Sequence, residues 1–379
     1  MMNKKYPLVN DLKKRAKKRI PKFAFEYLEG GCNEEINLSK NKSDLNKIQL
    51  NPHYIKKFSG YSLSTKIFDI KYNSPFGIAP IGLQGLIWPN SPIILAKAAN
   101  KFNIPYILST VSTASIEEIS EVSDGKAWFQ LYYPAEEKIR IDILERAKNS
   151  GIKVLVLLSD VPSFGYRGND IKNGLSMPPK MNINNFIQII KNPTWAFNTL
   201  YFGKPNFATL KPYMPKNLNL GQLGRFMDQT FSGRLNYDRI AKIRDIWKDK
   251  LVIKGIVNEL DTETSIKLGL DGIIISNHGG RQLDPGLSSI DALRKIYPKF
   301  KNKITIMMDS GIKSGPDIAR SIACGAQFTF LGRSFMYGVG ALGKSGGDHT
   351  IEILNTQLNQ IMEQLSCENI LDLKNHLIN

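Results

Sequence analysis

Short runs rich in Val, Ile, Leu and Phe recur along the chain, separated by segments with helical spacing. Eight such runs stand out: Phe76-Gly77-Ile78-Ala79, Ile104 to Leu108, Ala127 to Leu131, Val154 to Leu158, Leu251 to Ile256, Gly272 to Ile275, Ile304 to Met307 and Phe328 to Leu331. Apolar runs of this length suit strands covered on both faces, as in a parallel sheet. Helix starts lie between them. Ser115-Ile116-Glu117-Glu118 has the form of a capping box, and Asp261-Thr262-Glu263-Thr264 precedes Ile266, Leu268 and Leu270. Strand-helix alternation repeated eight times predicts a closed (β/α)8 barrel, with a doubly wound open sheet as its rival.

The residues that end each run favour the barrel. They are Pro80 with Gly82, Ser109, Gln130 with Tyr132, Asp160, Lys254, His278, Asp309, and Gly332 with Arg333. A barrel gathers all eight carboxyl ends at one mouth, whereas an open sheet spreads them along an edge. Three parts lie outside the count. Residues 1–70 read as mainly helical, with Arg19 to Leu28 leading into Gly30-Gly31. The C-terminal stretch carries Ile351, Leu354, Leu358, Ile361 and Leu365 at helical spacing and predicts a packing helix. Residues 175–235 form a long insertion after the fourth strand, of the kind that serves as a lid or binding segment. Its centre mixes apolar residues with lysine: Phe186, Lys191, Trp195, Phe197, Tyr201, Phe202, Lys204, Phe207, Lys211 and Tyr213. Such material suits either a lipid interface or packing on the protein's own helices.

Composition narrows the class. With 379 residues, 42% hydrophobic and 22% charged, the chain can bury a large core and is ordinary for a globular protein. No apolar run approaches the ~18 residues of a membrane span, and the lysine-rich N-terminus lacks the apolar core of a secretory signal. The formal charge of +17 comes from scattered lysines, which fits a general bias in lysine usage better than nucleic-acid binding and leaves an anionic lipid as a plausible partner. Cys32, Cys324 and Cys367 are too widely spaced for a disulfide framework or a metal site, which fits a reducing cytoplasm.

The chemistry concentrates in Ser276-Asn277-His278-Gly279-Gly280-Arg281-Gln282-Leu283-Asp284, directly after a buried strand. Histidine exchanges a proton near neutral pH and arginine grips a carboxylate through paired hydrogen bonds. Together they point to reaction at the carbon beside a carboxylate. Gly279 and Gly280 permit a sharp turn and leave room for a ligand. After the last two strands, Asp309-Ser310-Gly311-Ile312-Lys313-Ser314-Gly315 and Gly332-Arg333 combine glycine with positive charge, where barrels usually bind phosphate. Lys254 is placed to stabilise negative charge on a reduced heterocycle. Gln130 could pair with an amide-like ring edge, and Ser109 could add a polar contact.

These residues resemble the FMN-dependent 2-hydroxy-acid oxidoreductases, a family that includes glycolate oxidase, flavin-type lactate dehydrogenases, flavocytochrome b2 and mandelate dehydrogenase. The resemblance runs from about Pro21 to the C-terminal helix. Ser276 to Asp284 carries most of it, supported by Ala79-Pro80-Ile81-Gly82-Leu83, Phe129-Gln130-Leu131-Tyr132, Gly165-Tyr166-Arg167 with Asp170, and Asp309-Ser310-Gly311. It implies one FMN-binding barrel domain over 1–379 that oxidises an (S)-2-hydroxy acid, lactate-like or mandelate-like, to the 2-oxo acid.

By matching position, the resemblance makes His278 the base, Asp160 its partner, and Arg281 the carboxylate anchor. Tyr27 and Arg167 would assist Arg281, and Tyr132 would contact the substrate oxygen. Lys254 would face the flavin N1 and O2. Ala79, Pro80, Ile81, Ser109, Gln130 and Ser276 would contact the ring or ribityl chain, and Asp309 the ribityl hydroxyls. Gly311, Lys313, Gly332 and Arg333 would hold phosphate. Hydride transfer from Cα is favoured over a carbanion, because an unactivated Cα–H is a very weak acid.

The chain departs from the family pattern at Leu158, where threonine is common, at Gly168, where an acid is common, and at Lys313, where arginine is usual. Gly82, Leu86-Ile87-Trp88-Pro89 and Asn192-Pro193-Thr194-Trp195 are most similar to the mandelate and bacterial lactate dehydrogenases. That implies room for bulkier substrates, a peripheral seat on the inner face of the cell membrane, quinone as electron acceptor and a homotetramer. No haem domain is expected before the barrel. A soluble oxidase using oxygen, or another FMN-barrel enzyme such as an isomerase, is the alternative.

Overall fold

A computed structural model describes residues 3–378 other than 176–180, 204 and 216–219. Eight parallel strands form one sheet: β3 (Phe76–Ile78), β4 (Ile107–Ser109), β5 (Trp128–Leu131), β6 (Val154–Leu158), β7 (Lys250–Ile256), β8 (Gly272–Ile275), β9 (Thr305–Met308) and β10 (Phe328–Leu331). They follow a small antiparallel hairpin, β1 (Thr65–Ile67) and β2 (Ile70–Tyr72). The order runs from β4 through β5, β6, β7, β8 and β9 to β10, which pairs with β3. A parallel bridge between Ile78 and Tyr106, with Ile78 N donating to Pro105 O at 2.9 Å, closes the ring. The open-sheet rival is therefore excluded.

The strands are mostly apolar because both of their faces are covered. Val154 and Val156 of β6 point into the barrel with Val252, Ile274, Phe328 and Phe330, while Leu155 and Leu157 face the surrounding helices. Val156 pairs with Val252, and Leu158 with Lys254, which sets the β6–β7 register. The hairpin stops the barrel's lower end. The Phe68 ring lies 5.8 Å from Trp128, and Trp128 Nε1 donates to Tyr72 Oη at 3.1 Å.

The helical signals hold with two adjustments. Ser115 caps the helix Ile116–Ser123 through a complete capping box. The helix predicted at Asp261 begins earlier, at Glu259, because Asn258 accepts from Asp261 N and provides the cap. The C-terminal packing helix is Gly346–Leu365. The N-terminal region is helical only over Val9–Lys17, Lys22–Glu29 and Ile36–Asn46; residues 47–70 run mostly extended into the hairpin. Leu50 bridges to Leu377 and Ser62 to Asn369, so partners distant in sequence hold that stretch extended.

The insertion has structure of its own: helices Ile183–Ile190, Pro193–Phe202 and Leu220–Thr230, and a 3-10 turn over Ala208–Tyr213. Lys204 lies outside the described residues. The two readings of its amphipathic centre apply to different side chains. Trp195 and Phe207 are buried against the body, whereas Phe197 and Tyr201 are exposed. Trp195 Nε1 donates to the carbonyls of Leu86 and Ile87. Arg146 ties the second half down, giving Nη1 to Thr209 O at 2.9 Å and to Tyr213 Oη at 3.0 Å.

Candidate active site

A cavity of about 540 Å3 opens at the carboxyl ends of the barrel strands. Six cationic side chains line it (Lys42, Arg167, Lys254, Arg281, Lys313 and Arg333) against three carboxylates, Asp170, Asp228 and Asp309. That excess suits a ligand with more than one negative group.

His278 follows β8 with a left-handed backbone, φ 57°, in which its amide donates to Ser276 Oγ at 3.1 Å. The Ser276 hydroxyl also accepts from Lys254 Nζ at 2.8 Å. The turn thereby aims the ring inward, and His278 Nδ1 lies 3.0 Å from Asp160 Oδ1 at the end of β6. Burial, chiefly, holds the imidazole below its ordinary pKa, although Asp160 pulls the other way. Burial also acts to raise Asp160, but His278 and Lys254 outweigh it and keep the carboxyl below the usual range. A neutral imidazole beside an ionised carboxylate is a base ready to accept a proton.

Lys254 is almost wholly buried, and its Nζ lies 3.0 Å from Asp309 Oδ2. Desolvation lowers its pKa, but Asp309 and Asp160 together lift it above the ordinary value, so it is charged. Arg281 and Arg333 converge on the C-terminus of the helix Lys22–Glu29. Arg281 Nη1 donates to Tyr27 O at 2.6 Å and Gly30 O at 2.7 Å; Arg333 Nε donates to Leu28 O at 2.9 Å. Cations there complement the helix dipole and satisfy its last carbonyls. Arg281 also lies over the Tyr27 ring, 5.0 Å from the centroid, and burial pulls its pKa down to about 10.

Tyr132, Arg167, Ala79, Pro80, Ile81, Gly311, Lys313 and Gly332 join these residues in the wall. Ser109, Gln130 and Ser276 are buried at the strand ends, with Ser109 and Gln130 paired across β4 and β5, and Asp160 stands at the end of β6 beside His278. The two glycines of the signature loop make room for protein and not for a ligand. A Cβ on Gly279 would meet Arg333 Nη1 at 2.6 Å, and one on Gly280 would meet the Leu38 backbone at 2.6 Å. At Gly168 a side chain would meet open space, so the missing acid leaves a gap and no clash.

Sequence reading missed several contributors. Leu38 and Lys42 come from the helix Ile36–Asn46, which has no motif of its own. Met227 and Phe231 come from the insertion, and Phe231 stacks edge-on to Tyr132 at 5.5 Å. Their four-residue spacing in a helical stretch was the one available signal. Asp170, seen only as part of a motif, lies 3.6 Å from Arg281 Nη2 and 3.8 Å from Arg167 Nη1.

The sequence profile of the FMN-dependent dehydrogenases matches residues 16–379. The chain belongs to this family. It is 35% identical to the L-lactate dehydrogenase of Bartonella tribocorum, over 96% of this chain and 97% of that one. It is 36% identical to the enzyme of the same name from Haemophilus influenzae, over 96% of each. Among solved structures, the monotopic membrane protein (S)-mandelate dehydrogenase superposes with a TM-score of 0.93 at 32% identity, covering 99% of both chains. A mandelate oxidase gives 0.84 at 26% identity, covering 98% of both. The protein is thus an FMN-dependent 2-hydroxy-acid dehydrogenase, and FMN is its cofactor.

The residues present fit that cofactor. The cavity wall carries a buried, charged Lys254 paired with Asp309, and Lys313 and Arg333 beside the glycines Gly311 and Gly332, a donor set that suits a polar ring and a phosphate.

Proposed function

We propose that the protein oxidises an (S)-2-hydroxy acid, lactate-like or mandelate-like, with His278 as base and Arg281 as carboxylate anchor, and passes electrons to a membrane quinone. The observation that carries this reading is the His278–Asp160 pair at 3.0 Å beside the unsatisfied Nη2 of Arg281. Asp160 is ionised and can only accept, so Nδ1 keeps its proton and Nε2 carries the lone pair that takes the hydroxyl proton. Asp160 then stabilises the imidazolium. FMN, held at this mouth by Lys254, Lys313 and Arg333, would supply a two-electron acceptor for the Cα hydrogen and its electron pair.

Arg281 offers the substrate carboxylate Nη2, since Nη1 is committed to two backbone carbonyls. Arg167 adds positive charge from 3.8 Å beyond Asp170. Tyr132 stays protonated, because burial pushes its pKa up, and so donates to the substrate oxygen. Lys254 holds positive charge where the ring gains negative charge. Lys313 and Arg333, with the glycines beside them, hold the phosphate. Ser109, Gln130 and Ser276 contact the ring or ribityl chain from the strand ends.

Quinone as acceptor fits the surface of the insertion. Ile183, Ile190, Phe197, Leu200 and Tyr201 are each more than 70% exposed on two neighbouring helices, an apolar patch suited to a lipid interface. Among the described residues no helix is long and apolar enough to cross a membrane, so the contact is peripheral. Anaerobic mixing of the yellow holoenzyme with a panel of 2-hydroxy acids tests the activity. Bleaching by at least one (S)-acid supports it; no bleaching by any would overturn it. Turnover stimulated by oxygen and not by quinone-loaded vesicles would make the protein an oxidase.

A further inference from the structure

We propose that the FMN phosphate is bound by a third cation, Lys42, delivered by the N-terminal helix Ile36–Asn46, so that a bound phosphate further tightens the docking of that helix. The inference rests on FMN occupying this cavity with its phosphate at the Lys313–Arg333 end.

Much of the expected donor capacity at that end is already engaged. Arg333 gives Nε to Leu28 O at 2.9 Å, Nη1 to Gly279 O at 3.3 Å and Nη2 to Gly30 O at 3.1 Å. Its fork is largely occupied by backbone carbonyls. Lys313 lies close to Arg333, Lys13 and Lys42, with Glu29 the carboxylate that acts against them; burial first, then the like charges, pulls its pKa down. A phosphate monoester presents three strong acceptor oxygens, and an arginine whose donors are largely taken by carbonyls leaves most of them to other groups.

Lys42 lines the same cavity and shares Asp317 with the Lys313 backbone, which puts it at the Lys313 end. Its only ion-pair contact among the described residues is loose, with Nζ 3.3 and 3.5 Å from the Asp317 oxygens, and its side chain is 45% exposed. Asp317 does not depend on it, since it also accepts from Lys313 N at 3.0 Å and Arg320 Nη1 at 3.3 Å. The lysine can therefore turn to a phosphate without orphaning its partner.

The helix that carries it is fixed against both ligand loops. Asn41 and Asn277 exchange amide hydrogen bonds at 2.8 and 2.7 Å, next in sequence to Lys42 and His278. A Cβ on Gly311 would meet Asn41 O at 2.8 Å, so the helix backbone presses on the loop after β9. The Lys42 side chain thus starts from a backbone already locked to the loop it would help.

The test compares FMN with riboflavin, which has the same ring and ribityl chain but no phosphate. Apoprotein is titrated with each and binding is read from flavin fluorescence. K42Q should weaken FMN by about 10- to 100-fold, as expected for loss of one charge-assisted hydrogen bond, and leave riboflavin within about 2-fold. K42R should recover most of the loss. FMN should also protect the wild-type N-terminal segment from trypsin better than riboflavin does, and K42Q should abolish that difference. Equal weakening of both flavins, or unchanged FMN affinity, would overturn the proposal by returning Lys42 to a structural or solvated role. Wild-type apoprotein that binds neither flavin would overturn the cofactor reading as well.

Discussion

The imidazole of His278 and the carboxylate of Asp160, 118 residues apart, meet through Nδ1 and Oδ1 at 3.0 Å while the second Asp160 oxygen has no partner. The pair fixes which ring nitrogen can act. His278→Gln should keep FMN bound and lower the rate of flavin bleaching by about 10²- to 10⁴-fold, the usual worth of a general base. Asp160→Asn should lose a comparable amount, because an amide can donate to Nδ1 and force the proton onto Nε2. Stopped-flow bleaching measures both; a variant that reduces flavin at the wild-type rate would remove that residue from the mechanism.

The pH dependence follows from burial. The base form of His278 accumulates as pH rises through its pKa, which burial holds below the ordinary histidine value of about 6.5. Reaction at limiting substrate should therefore rise with pH along an acid limb centred below about 6.5 and be flat through neutrality. A limb centred above that value would show that His278 is not the titrating base.

Arg281 anchors the substrate and also caps a helix. Arg281→Lys removes the geometry that serves Tyr27 O and Gly30 O together. KM should rise by about 10- to 100-fold, with a smaller change in the rate at saturation. Unchanged KM would place the carboxylate elsewhere.

Gly280 has φ 73°, and a Cβ on it would meet Leu38 N and Cα at 2.6 Å. Gly280→Ala should destabilise the fold by about 1–3 kcal/mol and lower Tm by several degrees. FMN should partly restore it through linkage. A thermal shift assay with and without FMN checks both.

The apolar patch makes its own prediction. Ile183→Asp with Leu200→Asp should abolish co-flotation with anionic vesicles, yet leave turnover with a soluble dye acceptor intact. Flotation unchanged by both substitutions would move the lipid contact to another surface.

The chain by itself determined the barrel and most of the site. Continuous apolar runs become strands wherever both faces must be covered, and polar residues at their ends share one mouth once the sheet closes. His278, Lys254 and Asp309 were legible because each lies at or just past the end of such a run, and Arg281 because it shares the loop of His278. Other features belonged to the tertiary structure alone. Nothing local marks Lys42 or Leu38 as lining the cavity, since only the docking of a helix far away in sequence brings them there. Ser109 and Gln130 look alike from their strand positions whether they face a ligand or lie behind the wall, because register and barrel packing decide which. Gly279 and Gly280 signal a tight backbone, but what comes close to them is set by helix packing. Arg281 shows the same limit: its charge is written in the sequence, while the number of its donors left for a substrate depends on which carbonyls the fold brings within reach.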